Sequence, residues 1–246
     1  MTPELYRKSF AEATKRIAEL AVNDGRADIP HIKDWTAEDA IIHVGLVFSF
    51  VSQSIHQGSP VGKQGVAPWA NDPVNQPDTS DLGQWFATVA EDLDEAIWSH
   101  QADDQIWTSS KRMDTAEFWM RRMTQEAEMH RWDIEAAHGE SQAVRPQMAI
   151  DGIDEFYDFF VAERLSEAFA GEGSVHLHAT DAEGEWMITR NATGVVVEKE
   201  HGKGDVAARG TASDLLLFVW NRQSYSTLET FGNTELLDDH QRLLQV

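Results

Sequence analysis

In the stretch QEAEMHRWD, residues 125–133, Glu126 and His130 stand four positions apart. On a helix that spacing is one full turn, so the two side chains share a face. A third residue of the same chemistry, His43, sits in AIIHVGL, within a long apolar run. Two imidazoles and one carboxylate are the ligand set of a catalytic zinc site, which keeps a fourth position open. Nitrogen and oxygen donors equally suit nickel, iron or manganese. Asp39, one turn before His43, and Asp133, three residues after His130, are placed to orient the two rings through their second nitrogens. The same residues also have plainer readings. Arg122 lies four residues before Glu126, and a surface ion pair between them needs no function. His43 alone could be a hydrogen-bonded core histidine.

For the three residues to meet, the helices must run in a particular order. The first half of the chain reads as four helices. TPELYRKSFAEATKRIAELA carries Leu5, Phe10, Ile17 and Leu20 near helical spacing. DWTAEDAIIHVGLVFSFVSQSIHQG has Thr36 as N-cap, acids in its first turn and Gly58 as its stop. TSDLGQWFATVAEDLDEAIW is the third helix. DTAEFWMRRMTQEAEMHRWDIEAAHG is the fourth, with Asp114 and Glu117 as a capping-box-like pair and Gly139 after its end. Between the second and third lies the Pro- and Gly-rich GSPVGKQGVAPWANDPVNQPD. A connection of that length is a functional loop or a crossover; Trp69 within it is a candidate lid residue, set against a surface crossover with no such role. A crossover makes the second and third helices parallel and the fourth antiparallel to the second. With a rise of ~1.5 Å per residue, His43 then lies roughly 9 Å from the start of its helix. His130 and Glu126 lie roughly 12 and 18 Å from the end of theirs, at nearly the same level. The simple up-down-up-down order separates them by most of two turns.

The composition changes near residue 143, which divides the chain into a helical domain, 1–143, and a C-terminal domain, 144–246. IDGIDEFYDFFVAERLSEAF reads as a helix. SVHLHAT, EWMITR and GVVVEKE alternate as strands do. TASDLLLFVWNR and TELLDDHQRLL read as helices. Strands bracketed by helices give a small α+β domain. His176 and His178 alternate on one strand face, a pattern that can bind metal but more commonly is an exposed strand; EKEHGKGD reads as a solvated turn. Trp98, Trp107, Trp119 and Trp132 read as packing residues. Neither a Gly-rich phosphate loop nor a serine-elbow motif is present.

The composition narrows the function further. An apolar fraction of 41% places the chain among globular proteins. A formal net charge of −22 repels phosphate backbones and anionic headgroups, which argues against nucleic-acid and membrane partners. No apolar run is long enough to span a bilayer, and MTPELYRKSF has no signal core, so a cytoplasmic protein is expected. There is no cysteine. Disulfides, thiolate-ligated zinc and a cysteine nucleophile are therefore excluded, and any thiol chemistry must use a thiol from outside the chain.

WTAEDAIIHVG, FWMRRMTQEAEMHRWDIEAAHG and GTASDLLLFVWNR resemble three signatures of the mycothiol-dependent maleylpyruvate isomerase family, in the right order and across nearly the whole chain. The resemblance implies an α+β protein, with an N-terminal DinB-like four-helix bundle and a C-terminal domain related to sterol-carrier folds. It implies metal ligation by His43, Glu126 and His130, and a substrate-holding role for Arg222 at the end of the last signature. It also implies mycothiol as cofactor, with its sulfur on the metal, and either cis–trans isomerisation of maleylpyruvate or transfer of the thiol to another small electrophile. Two positions depart from the pattern. Many relatives have Gly where Asn221 stands, and His where Gln125 stands. Neither is a proposed ligand. The rival reading is a metal- or ligand-binding module without catalysis. Oligomeric state is not fixed by the sequence.

Overall fold

The structure is a computed structural model that describes residues 1–22, 25–165 and 168–243. It divides into two compact units, Met1–Gln142 and Ala143–Val246. Among the described residues, no helix is long and apolar enough to cross a membrane.

The first unit is built on four long helices: α1 (Pro3–Leu20), α2 (Ala37–Gln57), α4 (Leu82–Trp98) and α5 (Ala116–Ala137). A short helix, α3 (Val66–Ala70), lies in the long connection. The ends of α2 are set by local chemistry. Thr36 and Asp39 cap each other reciprocally at its start, and Gly58, at φ 71°, turns the chain out of it. Gly139, at φ 69°, does the same after α5. The start of α5 differs from the sequence expectation. Its N-cap is Thr115 and no side chain bonds the first turn, so Asp114 and Glu117 do not form a capping box. Asp114 instead accepts a bond from Gln105 Nε2 at 3.4 Å.

Contacts along the helices fix their directions. Gly45 of α2 faces Trp85 of α4, and Ser52 donates to the carbonyl of Asp92, so α2 and α4 run parallel. Arg7 pairs with Asp94 while Gly83 abuts Ala18, so α1 is antiparallel to α4. Thr124 donates to the carbonyl of Tyr6, and Arg16 meets Glu135, so α1 and α5 are parallel. It follows that α5 is antiparallel to α2, the crossover arrangement. The connection that makes it is pinned to the bundle by Trp69, whose ring packs edge-on against Phe50 at 5.6 Å.

The second unit begins with α6 (Pro146–Glu155), which continues without a break as a π-helical segment, Phe156–Leu165. A five-stranded sheet follows in the order β3-β2-β1-β4-β5. Its strands are β1 (Ser174–Ala179), β2 (Glu185–Asn191), β3 (Gly194–Glu198), β4 (Val206–Gly210) and β5 (Glu229–Gly232). All neighbouring pairs are antiparallel except β1 with β4. Helix α7 (Ala212–Val219) and helix α8 (Glu235–Leu243) complete the unit. One sheet face carries the core: Val175, Leu177, Trp186, Ile188, Val206 and Ala208 are all buried. The alternating residues His176, His178, Glu185 and Met187 share the other face.

His240 of α8 is sealed into this unit, with its ring stacked on Phe218 at 5.3 Å and edge-on to Phe169 at 5.4 Å. Burial, reinforced by the charge of Arg190, lowers its pKa from 6.5 to about 4. Between those values the unfolded chain binds more protons than the folded one. The stabilising effect of the neutral ring is therefore full above pH 6.5 and is lost as pH falls through 4, by about 3 kcal/mol. Denaturant melts at successive pH values test this: the acid-side loss of stability should be smaller in His240→Leu than in the parent by an amount of that order.

Candidate metal centre

Helix α5 is buried along almost its whole length although it is rich in charge. Each turn of it therefore needs internal partners. Arg131 donates to Glu128 at 3.0 Å and to Glu135 at 2.6 Å, both on the same helix. Glu126 and Arg122 form another such pair, with Arg122 Nη2 bonded to Glu126 Oε2. Arg122 is only 6% exposed and the Glu126 side chain 15%, so this pair is largely withdrawn from solvent and is not a surface one.

With Oε2 engaged by Arg122, the other carboxylate oxygen of Glu126 faces two imidazoles. His43 Nε2 and His130 Nε2 each lie 3.5 Å from Oε1. The potential ligand atoms of His43, Glu126 and His130 all fall within 4.8 Å of one another. Two separations of 3.5 Å are long for charge-assisted hydrogen bonds, which run ~2.7–2.9 Å. They suit two ligands on one ion, since donors ~2.0–2.1 Å from a tetrahedral centre are ~3.3 Å apart. The donor set and its spacing thus fit a divalent ion.

The surrounding groups hold the rings in place. Asp133 Oδ2 is 3.0 Å from His130 Nδ1, the ring nitrogen that faces away from Glu126. The other oxygen of Asp133 contacts His31 Nε2 at 2.6 Å. Asp133 is fully buried. The two histidine rings meet edge-on at 5.2 Å, and Trp35 packs against both, 5.1 Å from the ring of His43 and stacked over that of His130 at 6.4 Å. Asp39 does not orient His43. Its carboxylate accepts from the backbone and hydroxyl of Thr36 at 2.9 and 2.6 Å, so the cap of α2 uses it. Nor is His43 a core histidine: its side chain is 41% exposed, while that of His130 is 8% exposed. The cluster is closed on the α5 side and open on the α2 side.

His31, Trp35 and the burial of Arg122 escape a reading by spacing. His31 and Trp35 belong to a turn before α2, closed by the Asp28–Thr36 bridge and the bond from Ile29 N to the carbonyl of Trp35. Such a turn has no periodicity to mark which side chains point inward.

The electrostatics follow from this packing. Burial by itself would raise the pKa of Glu126. The charge of Arg122 and the nearness of both imidazoles outweigh it and hold the carboxyl well below its ordinary value. Burial would likewise lower His130, but Asp133 and Glu126 raise it from 6.5 to about 9.

Comparison with known proteins agrees with this architecture. The mycothiol maleylpyruvate isomerase N-terminal domain matches residues 6–135, and the MDMPI C-terminal domain matches residues 147–239. The chain belongs to the mycothiol maleylpyruvate isomerase family. Two crystal structures of a mycothiol-dependent maleylpyruvate isomerase share its fold. A histidine-to-alanine variant gives a TM-score of 0.67 at 14% identity, covering 94% of this chain and 93% of the other. The unmodified form gives 0.65 at 14% identity, with the same coverage. At that identity the likeness concerns the fold. No curated protein matches the chain.

Asn221, one of the two departures noted from the sequence, has a left-handed backbone with a local explanation. It has φ 56°, and its N–H bonds the carbonyl of Phe218 while that of Arg222 bonds the carbonyl of Leu217 at 2.7 Å. This is a Schellman end to α7, whose left-handed residue is normally Gly and next most readily Asn. Arg222 follows directly, and its Nη1 donates to the carbonyl of Trp220 at 3.0 Å.

In chelator-treated protein the His130 ring should titrate at about 9 by NMR. Glu126→Gln and Asp133→Asn should each bring that midpoint down toward 6.5, the direction given by removing a neighbouring negative charge.

Proposed function

We propose that this chain is a metal- and mycothiol-dependent isomerase, with one divalent ion, zinc by preference, held by His43, Glu126 and His130. The observation that carries the reading is the approach of two imidazole nitrogens to one oxygen of Glu126, each at 3.5 Å. Three ligands leave a fourth position, and the exposure of His43 puts the opening on its side. When bound there, the ion would lower the pKa of a coordinated thiol, supplying at neutral pH a nucleophile able to add to and leave a cis double bond.

The chain's own residues have separate tasks in this scheme. Arg122 neutralises Glu126 and fixes which of its oxygens faces the rings. Asp133, 3.0 Å from His130 Nδ1, would steady that ring with Nε2 toward the site, as a buried carboxylate commonly does for a histidine ligand. Arg222 would pair with a carboxylate of the substrate through its forked donors. The absence of cysteine accords with an external thiol. A thiol transferase that uses another small electrophile needs the same ligands, and the family contains the isomerase chemistry that we favour.

Elemental analysis of protein purified without chelator should find about one divalent ion more than in variants that lack the ligands of this centre. His43→Ala and His130→Ala should each abolish it, together with mycothiol-dependent conversion of maleylpyruvate to its trans isomer. Turnover undiminished in the metal-free protein would refute the reading. Asp133→Ala should weaken metal binding by about 10- to 100-fold while leaving the ligands in place. Arg222→Met should raise KM by roughly 10- to 100-fold with metal content unchanged, the loss expected for a charge-assisted pair.

A further inference from the structure

The sheet of the second unit carries another convergence of imidazoles. His178 and Glu185 stand directly opposite each other on β1 and β2, and His176 stands two residues before His178 on the same face. His178 Nδ1 lies 2.8 Å from Glu185 Oε1, and His176 Nε2 lies 3.2 Å from Oε2. A fourth residue joins them from the connection between β3 and β4: His201 Nδ1 is 2.8 Å from Glu185 Oε2. The rings of His201 and His176 meet edge-on at 5.3 Å.

Two glycines let that connection approach the sheet. A Cβ on Gly202 would sit 3.0 Å from the sulfur of Met187, beside His176 on the same face. A Cβ on Gly204 would sit 2.7 Å from the carbonyl of Val206 and 3.0 Å from the backbone nitrogen of His176. Without side chains there, the segment folds back over β1. His176 is consequently only 5% exposed although it lies on the face opposite the apolar core. Three of the ten histidines in the chain thus surround one carboxylate.

We propose that His176, His178, Glu185 and His201 form a second metal site, for a borderline divalent ion of the zinc, nickel or copper class. Each offers one ligand atom, and all four atoms lie within 4.8 Å of one another. Nitrogen donors with a single carboxylate select such ions over calcium or magnesium, which take oxygen. Four protein ligands fill a tetrahedral ion, so this site is closed and structural, unlike the three-ligand centre on α2 and α5. Its effect is to fasten the β3–β4 connection to the face of β1 and β2. The two 2.8 Å contacts must open by ~0.5 Å to reach the ligand separation of a tetrahedral ion. His201 makes that movement readily, because its side chain is 81% exposed. The competing arrangement is a carboxylate that simply accepts hydrogen bonds from three rings and holds no ion.

Metal counting on the full chain distinguishes the two. Chelator-stripped protein is dialysed against zinc buffered at micromolar free concentration, and bound zinc per chain is measured by elemental analysis. The parent should hold two ions, and the double variant with His178→Ala and His201→Ala should hold one. The double variant with His43→Ala and His130→Ala should also hold one, so failure of the first centre leaves the second measurable on its own. Both sheet substitutions are at partly or fully exposed side chains, and far-UV circular dichroism confirms the fold of each variant. As a second readout, zinc should slow tryptic cleavage after Lys203 in the parent and not in the His178→Ala, His201→Ala variant. A zinc count that those two substitutions leave unchanged overturns the proposal. So does a count of zero in the variant that lacks His43 and His130.

Discussion

Glu126 must remain ionised where it is largely withdrawn from water, and the helical unit is arranged around that requirement. A buried carboxylate without partners would take up a proton. Here the burden is divided between its two oxygens. Arg122, one turn earlier on the same helix, takes Oε2. Oε1 is left to His43 and His130. The division gives the site its direction as well as its charge. A guanidinium has no lone pair to offer a cation, so the side engaged by Arg122 is a support. The side that faces two ring nitrogens collects donors.

That division works only if α2 passes α5 at the right height and in the opposite direction. The long connection before α4 makes this geometry possible. It costs little in loop-closure entropy, because that term grows only with the logarithm of length. Its own side chains then hold it down, Trp69 against Phe50 and Asn75 Nδ2 to the carbonyl of Trp69 at 2.8 Å. Helix α5 is the costlier element. It buries Arg122, Glu128, Arg131, Asp133 and Glu135 along with the histidine. Nearly every one of these charges is answered from the same helix or from α1. Glu135, for example, takes Arg131 from one turn back and Arg16 from α1 at 3.3 Å. Buried pairs of this kind contribute little net stability, but removal of one partner strands the other. They specify the rotation of α5, and with it the face on which Glu126 and His130 appear.

Much of this is legible in the sequence because it rests on local rules. Thr36, Gly58 and Gly139 mark helix ends through capping and left-handed geometry. The four-residue spacing of Glu126 and His130 needs only the helical period, and the level of His43 needs only the rise per residue. Other parts depend on tertiary packing that leaves no local trace. Strands β4 and β5 are short, and VAARG contains a single β-branched residue, so neither announces itself. The π-helical continuation of α6 is a further apolar run, FYDFFVAERL, that carries no local mark of its wider turn. Asp39 shows how one signal can stand for two things. An acid three residues after Thr36 and four before His43 suits both a cap and a ring support. The cap wins because its partners are covalently near and already in place when the first turn forms.

His201 marks a different limit. It lies 16 residues from Glu185, in a segment whose sequence says only that it is polar and flexible. Nothing in a periodicity connects it to β1. The connection comes from Gly202 and Gly204, whose missing side chains allow the backbone within van der Waals reach of Met187 and His176. In the helical unit the ligand-type side chains are brought together by regular elements with strong periodic signals. On the sheet they are brought together by the absence of side chains in a loop. The first kind of convergence can be computed from helix geometry once topology is guessed. The second requires knowing where a chain can approach another closely, and glycine in a loop is the only mark that it leaves.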